Sequence, residues 1–450
     1  MIPVVTPEEM GAIDAAAPEP VEVLIGRAGG AVAHAVVRLL GGTYGRRVVV
    51  IAGKGNNGND GREAARCLRR RGVRVHVVDA TDLPATLPPV DLVIDAAFGT
   101  GFRGDWSAPV TDAPVLAVDI PSGVDGLTGA VGGAPLSACH TVTFAALKPG
   151  LLLSPGGGYA GRIEVADIGL DVSSARAQVV EAADVAGWLP RRAAAGHKWQ
   201  AAIRVVAGSP GMTGAAHLVS AAAFRAGAGY VTLSSPGLDD DPTAPTEVVG
   251  RPLPSAGWAE TALGEADRYG ALAVGPGLGT GPGVADDVRA VVAGWPGAVV
   301  VDGDGLTALG GAVAEVTASR SVPAVLTPHE GEFARLAGGG VGVDRLAAVR
   351  SLATTTGAVV LLKGPATVVA APDGAVLITT TGDARLATAG TGDVLSGVIA
   401  ALLAGGLDPL RAAAAGAFLH GRAGAVGWRY GLVASDLLDR LPIVIDQLQE

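Results

Sequence analysis

The chain has 450 residues, more than the roughly 250–300 at which one hydrophobic core stops growing, so its length predicts two domains. Hydrophobic residues make up 49% and charged residues 17%, a composition that excludes a disordered chain. The formal net charge of −10 argues against nucleic acid as the main partner. The two cysteines lie far apart in the sequence, so neither a disulfide scaffold nor a cysteine-rich zinc site is expected.

The N-terminal segment has no basic stretch followed by an apolar core, so we expect no secretory signal. Alanine-rich stretches such as 397–406 are shorter than the ~20 residues of a membrane span. We therefore expect a cytoplasmic protein without a membrane or nucleic-acid partner, and we expect it to be a homo-oligomer.

Short apolar runs alternate with helical patterns in the first half of the chain. The runs lie at 48–51, 73–78, 92–94, 115–118 and 141–144, and a helical pattern covers 62–71. Runs that are apolar at nearly every position are typical of parallel strands covered on both faces. The alternation predicts an α/β fold with a Rossmann-like, doubly wound sheet.

The second half repeats this rhythm after an interruption at 181–192, so we place the junction near residue 190, with domains at 1–190 and 191–450. The interruption contains a Trp-Leu-Pro sequence and the basic pair Arg191-Arg192. The second series has apolar runs at 203–206, 230–233, 272–274, 298–301, 324–326 and 359–362, and helical segments near 215–226, 394–404 and 410–428.

A glycine-rich segment, GKGNNGNDG, extends from Gly53 to Gly61 directly after the first run. Its glycine spacing matches neither the dinucleotide fingerprint nor the P-loop. It is either a plain connecting turn or an anion-binding strand-to-helix turn. Two adjacent asparagines and Asp60 favour a binding site, because open α/β sheets bind ligands at the carboxyl ends of their strands.

Two later strands end in the same way. Asp95 precedes the FGTG sequence 98–101, and Asp119 precedes the IPSG sequence 120–123. One such aspartate alone would more often cap a helix. Three polar turns at one sheet edge indicate a single pocket, and oxygen ligands without a Cys or His cluster suit a hard cation.

These motifs, together with TVTFAALKPG at 141–150, resemble the NAD(P)H-hydrate epimerase family over roughly residues 1–170. The resemblance implies a potassium ion held by Asn57, Asp95 and Ser122, and Asp119 is the candidate for proton transfer. It also implies contacts with the hydrated nucleotide from Asn56, Asn57, Gly58, Asn59, Asp60, Gly99, Thr100, Gly101, Phe102, Arg103, Gly104, Asp105 and Asp119.

Two positions depart from the family pattern. Asn59 replaces a glycine, and since asparagine tolerates positive φ best among the other residues, we expect the turn to be preserved. Gly26 stands where the family usually has glutamate. A first domain that only binds nucleotide therefore stays open as an alternative to an active epimerase.

The sequence TAGTGD, 388–393, leads into an apolar helical segment in the second half. Successive backbone N–H groups at a helix N-terminus stabilise the charge on a transferring phosphoryl group. Asp393 is then placed to accept a proton from a substrate hydroxyl. The alternative is that Asp393 only caps the helix.

Four other motifs follow apolar runs of this half and point to the same cleft: 275–279, Asp302-Gly-Asp304, 327–332 with His329, and Lys363-Gly-Pro-Ala-Thr367. With His197-Lys198 and 208–216, they resemble the NAD(P)H-hydrate dehydratases of the ribokinase-like superfamily over about 196–430. The resemblance implies contacts with the hydrated nucleotide from Ala216, Gly277, His329 and Asp393, and with the adenine nucleotide from Lys363, Gly364, Pro365, Ala366, Thr367 and Gly392. The bacterial-style fusion of the two domains favours ADP, with Mg²⁺ bridging its phosphates.

The combined resemblance implies metabolite repair of the hydrated nicotinamide nucleotides NADHX and NADPHX. The first domain would interconvert the R and S epimers, and the second would dehydrate the S form to NAD(P)H with ADP, giving AMP and phosphate. The alternative is a vitamin or sugar kinase with a non-catalytic, nucleotide-binding N-terminal domain. Such a kinase would accumulate a phosphorylated product, whereas the dehydratase would regenerate the near-ultraviolet absorbance of NAD(P)H.

Overall fold

The computed structural model describes residues 1–191 and 195–449, which fall into two compact units. The N-terminal unit is Ile2–Ala177, and the C-terminal unit consists of Met1 and the chain from Gln178 onwards. The division therefore comes before the junction near residue 190 that the sequence predicts. Arg192, part of the basic pair used for that prediction, lies outside the described residues.

The segment between the two boundaries belongs to the C-terminal unit because its apolar side chains enter that unit's core. Val180 donates its backbone N–H to Ile378 O at 2.9 Å. Val185 is fully buried in the same core. The change of rhythm at 181–192 thus marks a short helix of the second unit rather than a linker.

The N-terminal unit contains the predicted strands to within two residues at each end. Its helices and strands are β1 (Ile2–Val4), α1 (Pro7–Ala15), α2 (Val21–Leu40), β2 (Arg47–Ala52), α3 (Asn56–Arg70), β3 (Arg74–Asp79), β4 (Leu92–Ala96), β5 (Trp106–Ser107), β6 (Val115–Val118), β7 (Gly133–Ala134), β8 (His140–Phe144) and β9 (Arg162–Ala166).

Six of these strands form a parallel sheet in the order β3-β2-β4-β6-β8-β9. Successive side chains of β2 enter opposite layers: Val48 and Val50 pack with the helices α1 to α3, whereas Val49 and Ile51 pack with Trp106. This alternation explains why the strands are apolar at both faces. It confirms the predicted doubly wound sheet, with the carboxyl ends of β2, β4 and β6 at one edge.

The C-terminal unit alternates strands and helices throughout. Its elements are β10 (Ala177–Val179), α4 (Ala182–Trp188), β11 (Ala202–Val206), α5 (Thr213–Arg225), β12 (Tyr230–Ser234), β13 (Val249–Gly250), α6 (Ala259–Leu263), β14 (Ala271–Val274), α7 (Val284–Gly294), β15 (Ala298–Val301), α8 (Asp304–Leu309), α9 (Val313–Thr317), β16 (Val325–Leu326), α10 (Glu330–Ala337), α11 (Arg345–Thr356), β17 (Val359–Leu362), β18 (Thr367–Ala370), β19 (Val376–Thr379), α12 (Thr391–Ala404), α13 (Pro409–Ala425) and α14 (Ala434–Gln449).

Within this unit the strands lie in the order β10-β19-β18-β17-β16-β15-β14-β11-β12-β13. The run from β17 to β13 is parallel, while β18 and β19 form an antiparallel hairpin that the sequence reasoning did not predict. Helix α12 is buried at every residue from Val394 to Ala404. It lies between other layers of the core, which explains why its sequence is apolar all round.

Helix α2 is long and apolar enough to meet the length and composition criteria for a membrane span, with a mean hydropathy of 1.5. Core helices of globular domains meet the same criteria. In this unit Val32, Ala33 and Val36 of α2 are fully buried in the core beside the sheet.

Candidate active sites

Asp119 follows β6 directly, and its carboxylate is held by three partners. Lys148 Nζ lies 2.8 Å from Asp119 Oδ1. The Thr143 hydroxyl donates to the same oxygen at 3.1 Å, and the Thr100 N–H donates to Oδ2 at 3.3 Å. Asp119 has a φ of 66°, a conformation that costs energy for a residue with a side chain. Such strain persists only where the surroundings determine it, so the carboxylate is fixed in place.

Lys148 is the buried partner of this carboxylate, and it is only 1% exposed. Besides Asp119, its ammonium group donates to Thr143 Oγ1 and to Phe144 O, both at 3.0 Å. Three acceptors match the three donors of a lysine. The sequence reasoning did not select Lys148, although a single lysine at the end of the mostly apolar stretch 141–147 was a usable signal.

A cavity of about 730 Å³ opens beside Asp119 within the N-terminal unit. Of the predicted substrate contacts, these line it: Asn56, Asn57, Asp60, Gly99, Thr100, Gly101, Phe102, Arg103 and Asp119. Gly58, Asn59, Gly104 and Asp105 are not among the lining residues. Gly58 instead packs on the backbone, since a Cβ there would lie 1.9 Å from Gly53 O. Lys148 and Asp14 line the cavity although the sequence reasoning did not name them as site residues.

Asp60 is buried in this cavity, with 7% of its surface exposed. Burial, together with the neighbouring carboxylates of Asp119 and Asp14, raises the pKa of Asp60 to about 8. Burial also raises the pKa of Asp14, where the charge of Lys148 acts in the opposite direction. The cavity therefore holds carboxyl groups in different electrostatic environments.

The three residues predicted to hold potassium lie at the ends of β2, β4 and β6. Ser122 donates its N–H to Asp95 Oδ2 at 2.9 Å and its hydroxyl to Asp95 Oδ1 at 2.6 Å. Asp95 is fully buried, and burial raises its pKa. Asn57 has both side-chain amide atoms buried without a hydrogen-bond partner in the described residues. A buried amide oxygen without a donor fits a cation as its partner.

The expectation that Asn59 occupies a turn with positive φ is wrong. Helix α3 begins at Asn56, so Asn59 lies within its first turn. In the described residues, positive φ outside glycine occurs at Asp119 and Ala145. Gly26, the other departure, is exposed in α2, and an added Cβ would meet nothing within 4 Å. A glutamate would fit there, so its absence is a chemical rather than a steric difference.

The C-terminal site begins at the N-terminus of α12. Gly390 has a φ of 89° and brings the chain into the helix. The N–H groups of Gly392 and Asp393 have no hydrogen-bond acceptor within 1–191 and 195–449, as is usual in the first turn of a helix. They are available to an anion. Burial raises the pKa of Asp393 to about 6, with Asp302 and Asp304 acting in the same direction and Lys363 in the opposite one.

Lys363 lies beside this helix terminus. Its Nζ is 2.6 Å from Asp302 Oδ1, and a Cβ on Gly392 would lie 3.2 Å from the same Nζ. The Ser396 hydroxyl donates to Asp302 Oδ2 at 2.8 Å. Asp302 thus ties the end of β15 to Lys363 after β17 and to Ser396 in α12. Ser396 was not named by the sequence reasoning, and its place within an apolar helical run gave little signal.

The other residues of the predicted nucleotide segment, Gly364 to Thr367, connect β17 to β18. Arg345 donates to Lys363 O at 2.7 Å, and the Thr367 hydroxyl donates to Gly364 O at 3.2 Å. Ala366 is buried, whereas Pro365 is exposed. The hairpin therefore holds the turn closed while Lys363 keeps its ammonium group at the site.

His329 caps α10 with one ring nitrogen. Its Nδ1 accepts from the N–H groups of Gly331 at 3.0 Å and Glu332 at 3.3 Å. In the neutral ring the proton is then assigned to Nε2. The side chain is 59% exposed, so a capping histidine can still present an N–H donor to a ligand. The structural and the functional interpretation of His329 are compatible.

Gly277 and Ala216 both lie next to Gly208. A Cβ on Gly208 would lie 3.0 Å from Ala216 Cβ, and one on Gly277 would lie 3.5 Å from Gly208 Cα. Asp304, whose charge acts on Asp393, accepts from the Gly279 N–H at 2.8 Å. The predicted residues of this half thus converge on one end of the sheet.

No group of three or more His, Cys, Asp or Glu side chains is placed to hold a metal ion in the part of the chain that the structure describes. A magnesium ion bound through nucleotide phosphates needs no such group, because Mg²⁺ keeps several waters and takes few protein ligands.

Comparisons with known proteins match both halves of the chain. A model of the NAD(P)H-hydrate dehydratase family matches residues 203–441, and a model of the YjeF-related protein N-terminus matches residues 21–85 and 78–150. The chain is 39% identical to a bifunctional NAD(P)H-hydrate repair enzyme of Moorella thermoacetica, over 99% of this chain and 97% of the relative. It is 41% identical to that of Mycobacterium tuberculosis, over 83% and 82%.

A solved structure resembles the C-terminal unit. The ADP/ATP-dependent NAD(P)H-hydrate dehydratase of Bacillus subtilis, co-crystallised with ATP and Mg²⁺, is 30% identical and has a TM-score of 0.51, covering 60% of this chain and 97% of that one. This match confirms the ribokinase-like fold of the C-terminal unit, and the full-length relatives favour repair over a vitamin or sugar kinase. The chain belongs to the family of bifunctional NAD(P)H-hydrate repair enzymes.

Proposed function

We propose that this enzyme clears both epimers of NADHX and NADPHX. The N-terminal unit interconverts the R and S hydrates at C6, and the C-terminal unit dehydrates the S form to NAD(P)H. ADP is the phosphoryl donor, and AMP and phosphate are the other products. The two activities complement each other because a dehydratase specific for one epimer would leave the other behind.

The observation that carries the dehydratase half is Asp393 at the open N-terminus of α12. Hydroxide is a poor leaving group, so the C6 hydroxyl must be activated before C6–O cleavage. Asp393 accepts the hydroxyl proton as the oxygen attacks the phosphoryl group of the nucleotide. The free N–H groups of Gly392 and Asp393 stabilise the charge on the moving phosphoryl group. Phosphate then leaves with the C6 oxygen, and loss of a proton from C5 restores the dihydropyridine ring.

The nucleotide is held by Gly392 and the segment Lys363 to Thr367, and the hydrated substrate by Ala216, Gly277, His329 and Asp393. Lys363 supports the first assignment because its ammonium group lies beside Gly392. Magnesium would neutralise charge on the nucleotide phosphates. The related dehydratase of Bacillus subtilis was crystallised with ATP and Mg²⁺, which supports a magnesium nucleotide here.

In the N-terminal unit Asp119 is the proton-transfer residue, and Asn57, Asp95 and Ser122 would hold a potassium ion. The buried, unpaired amide of Asn57 supports the cation, which would hold the substrate-binding turns in register. The fixed carboxylate of Asp119, at the edge of the cavity, supports its role beside the C6 centre.

The test is an assay of separated R and S hydrates with ADP or ATP. We expect NAD(P)H to form from the S hydrate with ADP, and from the R hydrate at a rate above that of spontaneous epimerisation. A phosphorylated product that accumulates without NAD(P)H would instead favour the kinase. Equal rates with ATP would remove the preference for ADP, and a rate for the R hydrate limited by spontaneous epimerisation would refute the epimerase half.

A further inference from the structure

Two carboxyl groups of the N-terminal cavity differ in what surrounds them. Asp119 is paired with the buried ammonium of Lys148 and accepts two further hydrogen bonds. Asp60 also lines the cavity and is buried, but its carboxyl has no hydrogen-bond or ion-pair partner in the described chain. A buried carboxylate without a cation or donor is costly, whereas a neutral carboxyl group is not.

The charged groups that act on Asp60 all raise its pKa. The ionisable side chains that line the same cavity are Asp14, Glu19, Lys54, Arg103, Asp119 and Lys148. Those that act on Asp60 are the carboxylates of Asp119 and Asp14, while Lys148 is occupied by Asp119. Burial, with these two carboxylates, raises the pKa of Asp60 to about 8. Near neutral pH the group is therefore mostly protonated and can donate a hydrogen bond or a proton.

We propose that Asp60 is the second proton-transfer residue of the epimerase site, the acid that protonates the C6 hydroxyl while Asp119 serves as the base. Two titratable groups that face one ligand in unlike environments are the usual basis for such a division of roles. The proposal rests on the proposed epimerase function and assigns its chemistry to a pair of residues.

The reaction balances without any further reagent. Asp60 gives its proton to the C6 hydroxyl, the C6–O bond breaks, and the lone pair of N1 forms a C6=N1 double bond as water leaves. Water then adds to the opposite face of C6 and gives its extra proton to Asp119. The electrons of the new C6–O bond come from water, and those of the C6=N1 π bond return to N1. The two carboxyl groups have exchanged protonation states, and proton exchange with solvent restores them.

The same intermediate could lose a proton from C5 and become NAD(P)H. The N-terminal unit must therefore keep a base away from C5 while water reaches C6. Of the two carboxyl groups assigned to proton transfer, only Asp119 serves as a base, and Lys148 and Thr143 fix its position. This arrangement suits epimerisation rather than dehydration.

The experiment uses the full-length enzyme and measures R-to-S conversion without ADP or ATP, so that the dehydratase site is silent. We expect Asp60→Asn to lower kcat at least about 100-fold with little change in KM, because the amide keeps the shape of the side chain but is too weak an acid to transfer a proton. The matched control is Asp112→Asn, an exposed carboxyl of the same unit outside the cavity lining, which should retain the activity. Asp60→Ser serves as a second variant if the asparagine form does not fold.

The pH profile adds a readout that a structural role would not move. The wild-type rate from R to S should fall above about pH 8, where Asp60 loses its proton, and the residual rate of Asp60→Asn should lack that decline. In oxygen-18-labelled water, label should enter the C6 hydroxyl as epimerisation proceeds. The S hydrate should still be dehydrated normally by each variant when ADP is added.

The outcomes separate the two proposals. A wild-type enzyme that does not accelerate R-to-S conversion refutes the epimerase function itself. An active wild type with an equally active Asp60→Asn variant overturns the role of Asp60 alone. Equal losses in Asp60→Asn and Asp112→Asn would also overturn it, since they would point to the net charge of the unit rather than to the position of Asp60. Epimerisation without uptake of label would contradict the cleavage of the C6–O bond.

Discussion

Each of the two candidate sites contains an aspartate near the start of a helix. The two aspartates differ in their protonation at neutral pH. Asp60 in α3 has carboxylates as its charged neighbours, and its pKa is raised to about 8. Asp393 in α12 has Lys363 nearby, and its pKa is raised only to about 6. At neutral pH the first is mostly an acid and the second mostly a base. Backbone position alone therefore does not determine the chemistry of such a residue: burial raises both pKa values, and a nearby ammonium group, that of Lys363, opposes the rise only at Asp393.

The largest effect is expected when the proposed base of the C-terminal site, Asp393, is removed. We expect Asp393→Asn to lower the dehydration of the S hydrate by about 10³-fold or more, since the amide cannot accept the hydroxyl proton. ADP binding should persist, because Lys363 and the N–H groups of α12 remain. The rate is followed by the absorbance of NAD(P)H, with R-to-S conversion by the same protein as the internal control. Normal turnover would refute the role of Asp393.

Removing the ammonium group of Lys148 from the N-terminal site should affect folding as well as activity. Lys148→Met leaves the partly buried carboxylate of Asp119 without its cation, which we expect to lower the free energy of unfolding by up to about 3–5 kcal/mol. Denaturant titration of the full chain measures the loss, and Lys54→Met, at an exposed lysine that lines the same cavity, is the control. The double variant with Asp119→Asn should be less destabilised than the sum of the two single ones. Additive losses would contradict the ion pair.

Removing the ammonium group of Lys363 from the C-terminal site should weaken nucleotide binding. A lost charge-assisted hydrogen bond of about 1.5–3 kcal/mol corresponds to a fall of roughly 10- to 150-fold in affinity for ADP in Lys363→Met. Calorimetric titration of the nucleotide measures this fall. Since Lys363 lowers the pKa of Asp393, the acid side of the pH profile should also move to higher pH. An unchanged profile would mean that Lys363 does not act on the base.

The comparison also predicts pH profiles of opposite slope. Asp393 must be ionised to accept a proton, so dehydration should fall about tenfold per unit as pH drops below about 6. Asp60 must be protonated to act as the acid, so R-to-S conversion should fall above about pH 8. Both are read from kcat/KM against pH with the matching epimer. Two profiles that decline on the same side would contradict the assignment of unlike roles.

The smallest expected effect concerns Asn59. Because this residue lies inside α3 without positive φ, Asn59→Gly should lower the free energy of unfolding by under about 1 kcal/mol and leave epimerisation unchanged. Thermal unfolding and the R-to-S assay measure both. A large gain in epimerase activity would show that the glycine of the family pattern serves the chemistry after all.

Much of the fold could be predicted from apolar runs, because parallel strands that are buried on both faces appear in the sequence as almost uninterrupted apolar segments. Val115–Val118 and Val359–Leu362 were predicted at their observed bounds. The hairpin of β18 and β19 was not predicted, although the Pro-Asp-Gly sequence at 372–374, between two short apolar runs, is a turn signal. The start of α3 was placed too late because its glycine and asparagines have low helix propensity, and tertiary contacts such as that between Gly58 and Gly53 override it.

The sites were predicted less completely than the fold. Motifs indicated the strand ends, and the cavity lining includes Asn56, Asp60 and Asp119 among the predicted residues. Ser396 was missed because its contact with Asp302 is long-range, and Lys148 was missed although its place after an apolar stretch was a signal, because its partner Asp119 is distant in the sequence. The roles of the individual site residues remain predictions, and the protonation of Asp60 depends on charges that the sequence does not bring together.

The ion pair between the buried Lys148 and Asp119 has a consequence for how this sequence can diverge. Loss of either residue alone leaves the other charge without a partner. A single substitution at either position would therefore destabilise the protein, even in a relative that no longer needs epimerase activity. Descendants without this activity should have replaced both positions together, or have kept both long after the chemistry was lost. The pair is therefore a weaker indicator of epimerase activity than Asp60. Asp60 has no ion-pair partner in the described residues, so stability alone does not require it to be kept.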